Sequence, residues 1–194
     1  MPRVVNPGGA GGVTSVTGTP PVTSSGGVTP AIGLTPLGYW QPATQAAGFT
    51  TIGFVANQTP CVGVIISWPL SVSHLTFNVT TLDNSTNKYD FGLYNAAGTL
   101  VANIGAASYT TSGAKTGALA QGTVTLNPGL YFLAFTGNST VMQFSGLNAG
   151  ASNWQYGASA NAGASVGGAL PATITPPATT PNNTAQTPWV TLTP

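Results

Sequence analysis

The chain is nearly without charge. Of its 194 residues only Arg3, Lys88, Lys115, Asp83 and Asp90 carry a fixed charge, and glutamate is absent. An ordinary soluble domain is about 25% charged; this one is at 3%. A net charge of +1 excludes the basic footprint of a nucleic-acid binder and the polybasic patch of a membrane-surface protein. No apolar run approaches the ~20 residues of a membrane-spanning helix. The best run, CVGVIISW at 61–68, has the length of a strand. The stretch MPRVVNPGG has no apolar segment of the kind a secretory signal needs. One cysteine, Cys61, leaves no internal disulfide. No segment carries an apolar stripe of helical period with charged flanks. Solubility therefore rests on Thr, Ser, Asn, Gln and Gly and on burial of apolar surface. With so little charge to hold copies apart, the composition suits packing against neighbours.

Proline divides what is there. Seven of the sixteen prolines fall in residues 1–42 and six in 171–194, leaving Pro60, Pro69 and Pro128 between. The division predicts an N-terminal arm over 1–42, a central domain over 43–165 and a Pro/Thr-rich C-terminal arm over 166–194. The central domain reads as β. Segments 49–56, 62–68, 73–81, 89–95, 99–105, 122–127, 130–136 and 140–146 are short and rich in β-branched and aromatic residues. Turn signals separate them, among them DNSTN at 83–87, NAAG at 95–98 and NPG at 127–129. Alternation places Leu75, Phe77 and Val79 on one face and His74, Thr76 and Asn78 on the other. About eight short strands at this spacing predict an all-β fold, a two-sheet sandwich of jelly-roll type. The far C-terminal stretch reads as extended chain. Its WVTL at 189–192 leaves two readings open, a disordered tail or an arm docking on a neighbour through Trp189.

The N-terminal arm has a period of three. Counting from Val13 gives Val13, Val16, Thr19, Val22, Ser25, Val28, Ala31, Leu34 and Leu37, six of them Val or Leu, with Gly, Thr, Ser and Pro prominent between them. Three is the period of neither a helix nor an ordinary strand. It fits an extended chain of threefold screw character that presents one residue in three to a common axis. One chain cannot bury such a row; three can. The alternative is a flexible linker with a chance period.

The run GVTSVTGTPPVTSSGGVTPAIGLTP at 12–36 resembles one that recurs in tail-fibre and other surface proteins of tailed bacteriophages. The likeness rests on Gly12, Val13, Thr14, Ser15, Val16, Gly18, Pro21, Val22, Gly26, Gly27, Thr29, Pro30, Ile32 and Leu34. It implies an intertwined homotrimer; the row of three gives its arm contacts as Val13, Val16, Val22, Val28, Leu34 and Leu37, and the apolar end of the C-terminal arm adds Trp189. It also implies a place on a virion, in contact with a major capsid or tail protein, after synthesis in the host cytoplasm. Because the run belongs here to a short chain, it favours a knob, head fibre or capsid decoration protein over a long fibre. Separately, YDFGLYNAAGTLVA at 89–102 and GTVTLNPGLYFLAFTGNST at 122–140 are similar to hairpins of jelly-roll modules such as pre-peptidase C-terminal domains and carbohydrate-binding modules. That likeness bears on fold alone.

Chemistry has little to draw on. General acid–base work needs paired ionisable groups, and the inventory is Asp83, Asp90 and His74, with no nucleophile elbow. The expectation is no enzyme, no cofactor and no metal. Asp83, Asn84 and Asp90 read as a charged hairpin tip in preference to a calcium loop. Cys61 reads as a buried small hydrophobe. The alternative to a structural role is glycan binding, which needs exposed aromatics beside amide or hydroxyl donors. Trp154 and Tyr156 in SNWQYG and Tyr39 and Trp40 in GYWQ are the candidate platform, weighed against the core or a subunit interface. Host surface glycans are the corresponding partner; nucleic acid and membrane are not.

Overall fold

The computed structural model describes residues 22–24, 32–34, 50–53, 55–84, 86–147, 155–156, 159, 161–178, 181–182 and 187–194. Among them there is no helix, and every strand pairing is antiparallel. The chain forms two units, Met1–Leu37 and Gly38–Pro194.

In the first unit β1 (Val22–Ser24) pairs with β2 (Ile32–Leu34), with Val22 opposite Leu34. Two residues expected to share a threefold row thus face one another across a hairpin. At these positions the chain satisfies its backbone groups by strand pairing, which a lone screw-extended chain cannot do. Val13, Val16, Val28 and Leu37 lie outside the described residues.

The second unit begins with β3 (Thr50–Ile52), β4 (Cys61–Ile66), β5 (Leu70–Val72) and β6 (His74–Thr81). It continues through β7 (Tyr89–Asn95), β8 (Leu100–Asn103), β9 (Gly113–Ala118), β10 (Val124–Leu126), β11 (Gly129–Gly137) and β12 (Gln143–Leu147). Four short pieces follow: β13 (Gln155–Tyr156), β14 (Pro181–Asn182), β15 (Thr187–Pro188) and β16 (Val190–Thr193). One sheet has the order β4-β11-β7-β8. A second is built on β6, which pairs β9 on one side and both β16 and β12 on the other; β12 also pairs β3 and β15. A two-stranded ladder, β5 with β10, closes one end, and β13 pairs with β14.

The two larger sheets meet face to face through aromatic rings. Phe77 of β6 stacks on Phe91 of β7 at 4.2 Å between centroids. Phe144 of β12 meets Phe91 edge-on at 5.0 Å, and Phe135 of β11 stacks on it at 6.0 Å. Offset-stacked and edge-to-face contacts of this kind add to what burial alone contributes. The alternation read from the sequence holds in β6: Leu75, Phe77 and Val79 are buried, while His74, Thr76 and Asn78 are partly exposed. β7 breaks alternation, being buried from Tyr89 through Tyr94.

The reason is a third layer. The segment 161–176 lies across the outer face of the four-stranded sheet, where Ala162, Leu170 and Ile174 pack on Cys61, Tyr94, Phe132 and Ala134. Ile174 N–H donates to Gly98 O at 2.8 Å, and Leu100 N–H to Ala172 O at 3.0 Å. Glycine permits the approach at two points. Gly98 has φ +79 and a Cβ there would run into Ile174 O; Gly168 has φ +77 and would strike Lys88 O. Both conformations suit glycine.

Part of residues 166–194, expected to form a separate arm, is therefore the sandwich's own cover. Farther along, β16 is a strand of the second sheet, with Val190 opposite Phe77 and Leu192 opposite Leu75, both fully or nearly fully buried. Pairing within the chain gives its apolar residues a core that a solvent-exposed arm lacks.

Phe91 touches three other rings, so removing it leaves a cavity where the sheets meet. Phe91→Ala should destabilise the protein by about 3–5 kcal/mol, the usual range for truncating a buried Phe. Guanidinium unfolding of the two proteins measures this, and a loss under about 1 kcal/mol would contradict the packing described.

Candidate functional site

Two of the exposed large side chains, Ile65 and Trp68, mark one rim. β4 leaves the four-stranded sheet at Ile66 and re-enters the ladder at Leu70, through Ser67, Trp68 and Pro69. β10 ends at Leu126 and β11 begins at Gly129, through Asn127 and Pro128. Ile66 lies opposite Gly129, and Leu70 opposite Leu126. The two connections are therefore held side by side by the pairs that flank them. All five connecting residues are exposed. Trp68 is 53% exposed, and Ile65 on the neighbouring outer face is 61% exposed. Tyr131 donates its hydroxyl to Asn127 O at 3.1 Å and ties one connection down. The rim thus presents an indole, an aliphatic side chain, two prolines, a primary amide and a hydroxyl, with no ionisable group in either connection.

The rim shares none of the candidate platform residues Trp154, Tyr156, Tyr39 and Trp40. Tyr156 lies in β13, while Trp154, Tyr39 and Trp40 fall outside the described residues. Trp68 escaped the sequence reading because it sits at the end of CVGVIISW, a run that reads as core strand throughout. Only pairing shows that the strand stops at Ile66. Trp189, read as an arm anchor, is half-buried beside β16, and its N–H donates to Ser145 O at 2.8 Å within the same chain.

Several ionisable side chains are tied into the fold. Among the described residues no three or more of His, Cys, Asp and Glu are grouped as a metal site would need. His74 Nδ1 lies 2.6 Å from Ser73 Oγ. Lys115, opposite Phe77, turns its ammonium to Thr111 Oγ1 at 2.6 Å and to Ser112 O at 3.1 Å. Burial pushes the Cys61 thiol up to about 12.

The two carboxylates were expected to share one hairpin tip, and they do not. Asp83 organises the tip: its Oδ2 accepts from the Tyr89 hydroxyl and from Asn87 Nδ2, and its Oδ1 from Asn84 N–H at 2.6 Å. Burial pushes this carboxyl up, but hydrogen bonds from Ser139, Tyr89, Asn84 and Asn87 outweigh it and hold the pKa at about 2. Asp90 lies in β7 and is fully buried under the cover. Its sequence neighbours, LDNSTNKYD, gave no sign of this, since the burying residues come from about 80 positions away.

No protein-family model matches the chain, and no curated protein and no solved structure is similar to it.

Asp83 sets an acid limit on stability. Its folded pKa of about 2 lies below the roughly 3.9 of an unfolded Asp. Its contribution is therefore complete above about pH 4 and lost as pH falls towards 2. Denaturant midpoints of wild type measured from pH 5 to pH 2 should fall through that window. Asp83→Asn should be less stable at pH 5 and show a shallower fall; equal slopes would remove Asp83 from the account.

Proposed function

We propose that the protein is a non-enzymatic structural protein of a bacteriophage particle, a capsid decoration (cement) protein or a head or tail fibre, exposed on the virion surface. It acts as a homotrimer, a jelly-roll-like sandwich with an N-terminal trimerisation segment, and it is made in the host cytoplasm and packs against a major capsid or tail protein. The observation that carries this reading is the near absence of charge from a double-sided, three-layered β fold. Copies of such a fold meet without charge repulsion. Contact between them rests on shared apolar area, at about 25 cal/mol per Å², and on strand pairing. The structural reading is supported by the use of His74, Asp83, Lys115 and Asp90 in hydrogen bonds within turns, strand ends and the cover. The phage-like run at 12–36 supplies the class of particle.

Light scattering on the full-length protein tests the assembly. The expected mass is three times 19.3 kDa, the same at low and high salt, because almost no ion pairs exist to screen. A monomer at all concentrations, or dissociation by salt, refutes the trimer.

A second reading, a glycan-binding adhesin module, is favoured by the Trp68 rim. A half-exposed indole beside an amide and a hydroxyl, with no charge in the connections, matches a neutral sugar ring: its apolar face lies on the indole and its hydroxyls meet Asn127 and Ser67. Wild type should bind host-cell glycans on an array, and Trp68→Ala should weaken binding about tenfold, which corresponds to ~1.4 kcal/mol. Equal binding by the variant removes this rim as the platform.

A further inference from the structure

The outer face of the four-stranded sheet is apolar over most of its width, but one row across it is polar. Thr136 of β11 lies opposite Asp90 of β7. On the other side, Ala134 lies opposite Cys61 and Phe135 N–H donates to Pro60 O, so the register carries on to place Thr59 opposite Thr136. Thr59, Asp90 and Thr136 are all buried, the least so at 1% exposure.

The cover is stitched to this row. Ala162 N–H donates to Thr59 O at 2.8 Å. Thr136 Oγ1 is 2.7 Å from Gln58 O and 2.5 Å from Ser165 Oγ. A hydroxyl has one proton and a carbonyl only accepts, so Thr136 donates to Gln58 and Ser165 donates to Thr136. Asp90 Oδ2 accepts from Asn103 Nδ2 at 2.7 Å and from the cover's Leu170 N–H at 3.1 Å. Asp90 Oδ1, in contrast, has no hydrogen-bond partner among the described residues.

The surroundings hold no described counter-charge. The cover contributes no ionisable residue between 159 and 178. β11 contributes Thr136, and the loop after β8 contributes the Tyr109 phenol, which feels the Asp90 charge. On β7, Tyr94 feels it too; Lys88, just ahead of β7 and two residues before Asp90, is exposed. Both phenols are shifted upward by burial and by Asp90, and the nearby Cys61 thiol lies at about 12. The two phenols and the thiol stay protonated through neutral pH, which leaves Asp90 as the described group beneath the cover that can change charge below it. An ionised carboxylate with one oxygen unbonded in an apolar layer is penalised. Opening the cover admits water to that oxygen, whereas a protonated carboxyl has much less to gain from it.

We propose that Asp90 is a pH-sensitive latch on the cover: protonated Asp90 holds segment 161–176 shut, and ionised Asp90 loosens it and bares the apolar outer face. Burial also shifts the Asp90 carboxyl upward, and the hydrogen bonds from Asn103 and Leu170 offset only part of that. The sign agrees with the geometry. A group whose closed-state pKa is raised favours closure fully below its open-state value of roughly 3.9. That preference is lost as pH rises through the closed-state pKa.

Cys61 reports on the latch. It is the chain's one cysteine, 3% exposed, and it packs against the cover's Ala162, Leu170 and Ile174. The test is native-state labelling of the full chain with an aromatic disulfide reagent from pH 5 to pH 8. Each rate is divided by that of the denatured chain at the same pH, which removes the thiol's own ionisation. The corrected rate should rise with pH in wild type, by up to about tenfold for each unit that closure raises the Asp90 pKa, and stay level in Asp90→Asn. A level rate in wild type, or the same rise in the variant, overturns the latch. Hydrogen exchange on wild type covers the case in which Asp90→Asn does not fold. Protection of the Leu170 and Ala162 amides, corrected for intrinsic exchange, should fall with pH while that of Leu93 and Leu133 holds. Parallel loss in both sets would mean global destabilisation and also overturn the proposal.

Discussion

The contact on which the rest depends is the stack of Phe91 on Phe77. It joins β7 of one sheet to β6 of the other, and Phe135 and Phe144 close around it. A chain with five charged side chains cannot rely on ion pairs to select its fold. Selection falls to shape, ring packing and backbone pairing, which are short-ranged and insensitive to salt. The tightest apolar packing accordingly lies where the two sheets meet, and polar residues such as His74, Thr76 and Asn78 look outward from the second sheet.

Once β7 is buried on its inner face, its outer face sets the second constraint. Tyr94, Phe132 and Cys61 point away from the sandwich core and need their own cover. The chain supplies it with a segment of small residues, AGASVGGALPATI at 162–174, which fills a thin layer without displacing the sheet. Such a segment has few apolar side chains to hold it, so backbone hydrogen bonds and the polar row at Thr59, Thr136 and Asp90 fix its register. A polar row under an apolar cover gives specificity of placement together with sensitivity to whatever changes its charge. Beyond the residues the cover occupies, Ile65 on the same sheet and Trp68 in the connection after it stay exposed.

The virion reading and the glycan reading use different parts of the molecule. The first rests on composition and on the run at 12–36. The second rests on one exposed indole and its neutral neighbours. They are compatible on one particle, since a surface protein that cements its neighbours also meets the host first.

The sequence by itself determined the all-β class, most strand positions in the central domain, and the facing of β6, because a period of two and β-branched composition are local properties. It also determined that Cys61 is buried. It did not show β9, whose GAKTGA has small residues and no alternation; Gly117 is required there because a Cβ would press on Ile104. It did not show that Val190–Thr193 completes the chain's own sheet, since a Thr/Pro-rich stretch reads alike whether it is paired or free. Nor did it separate the two aspartates seven residues apart, one holding a turn at about pKa 2 and one sealed beneath a distant segment. Those outcomes belong to tertiary structure, because burial and register are set by residues brought together from far along the chain, and no local pattern records them.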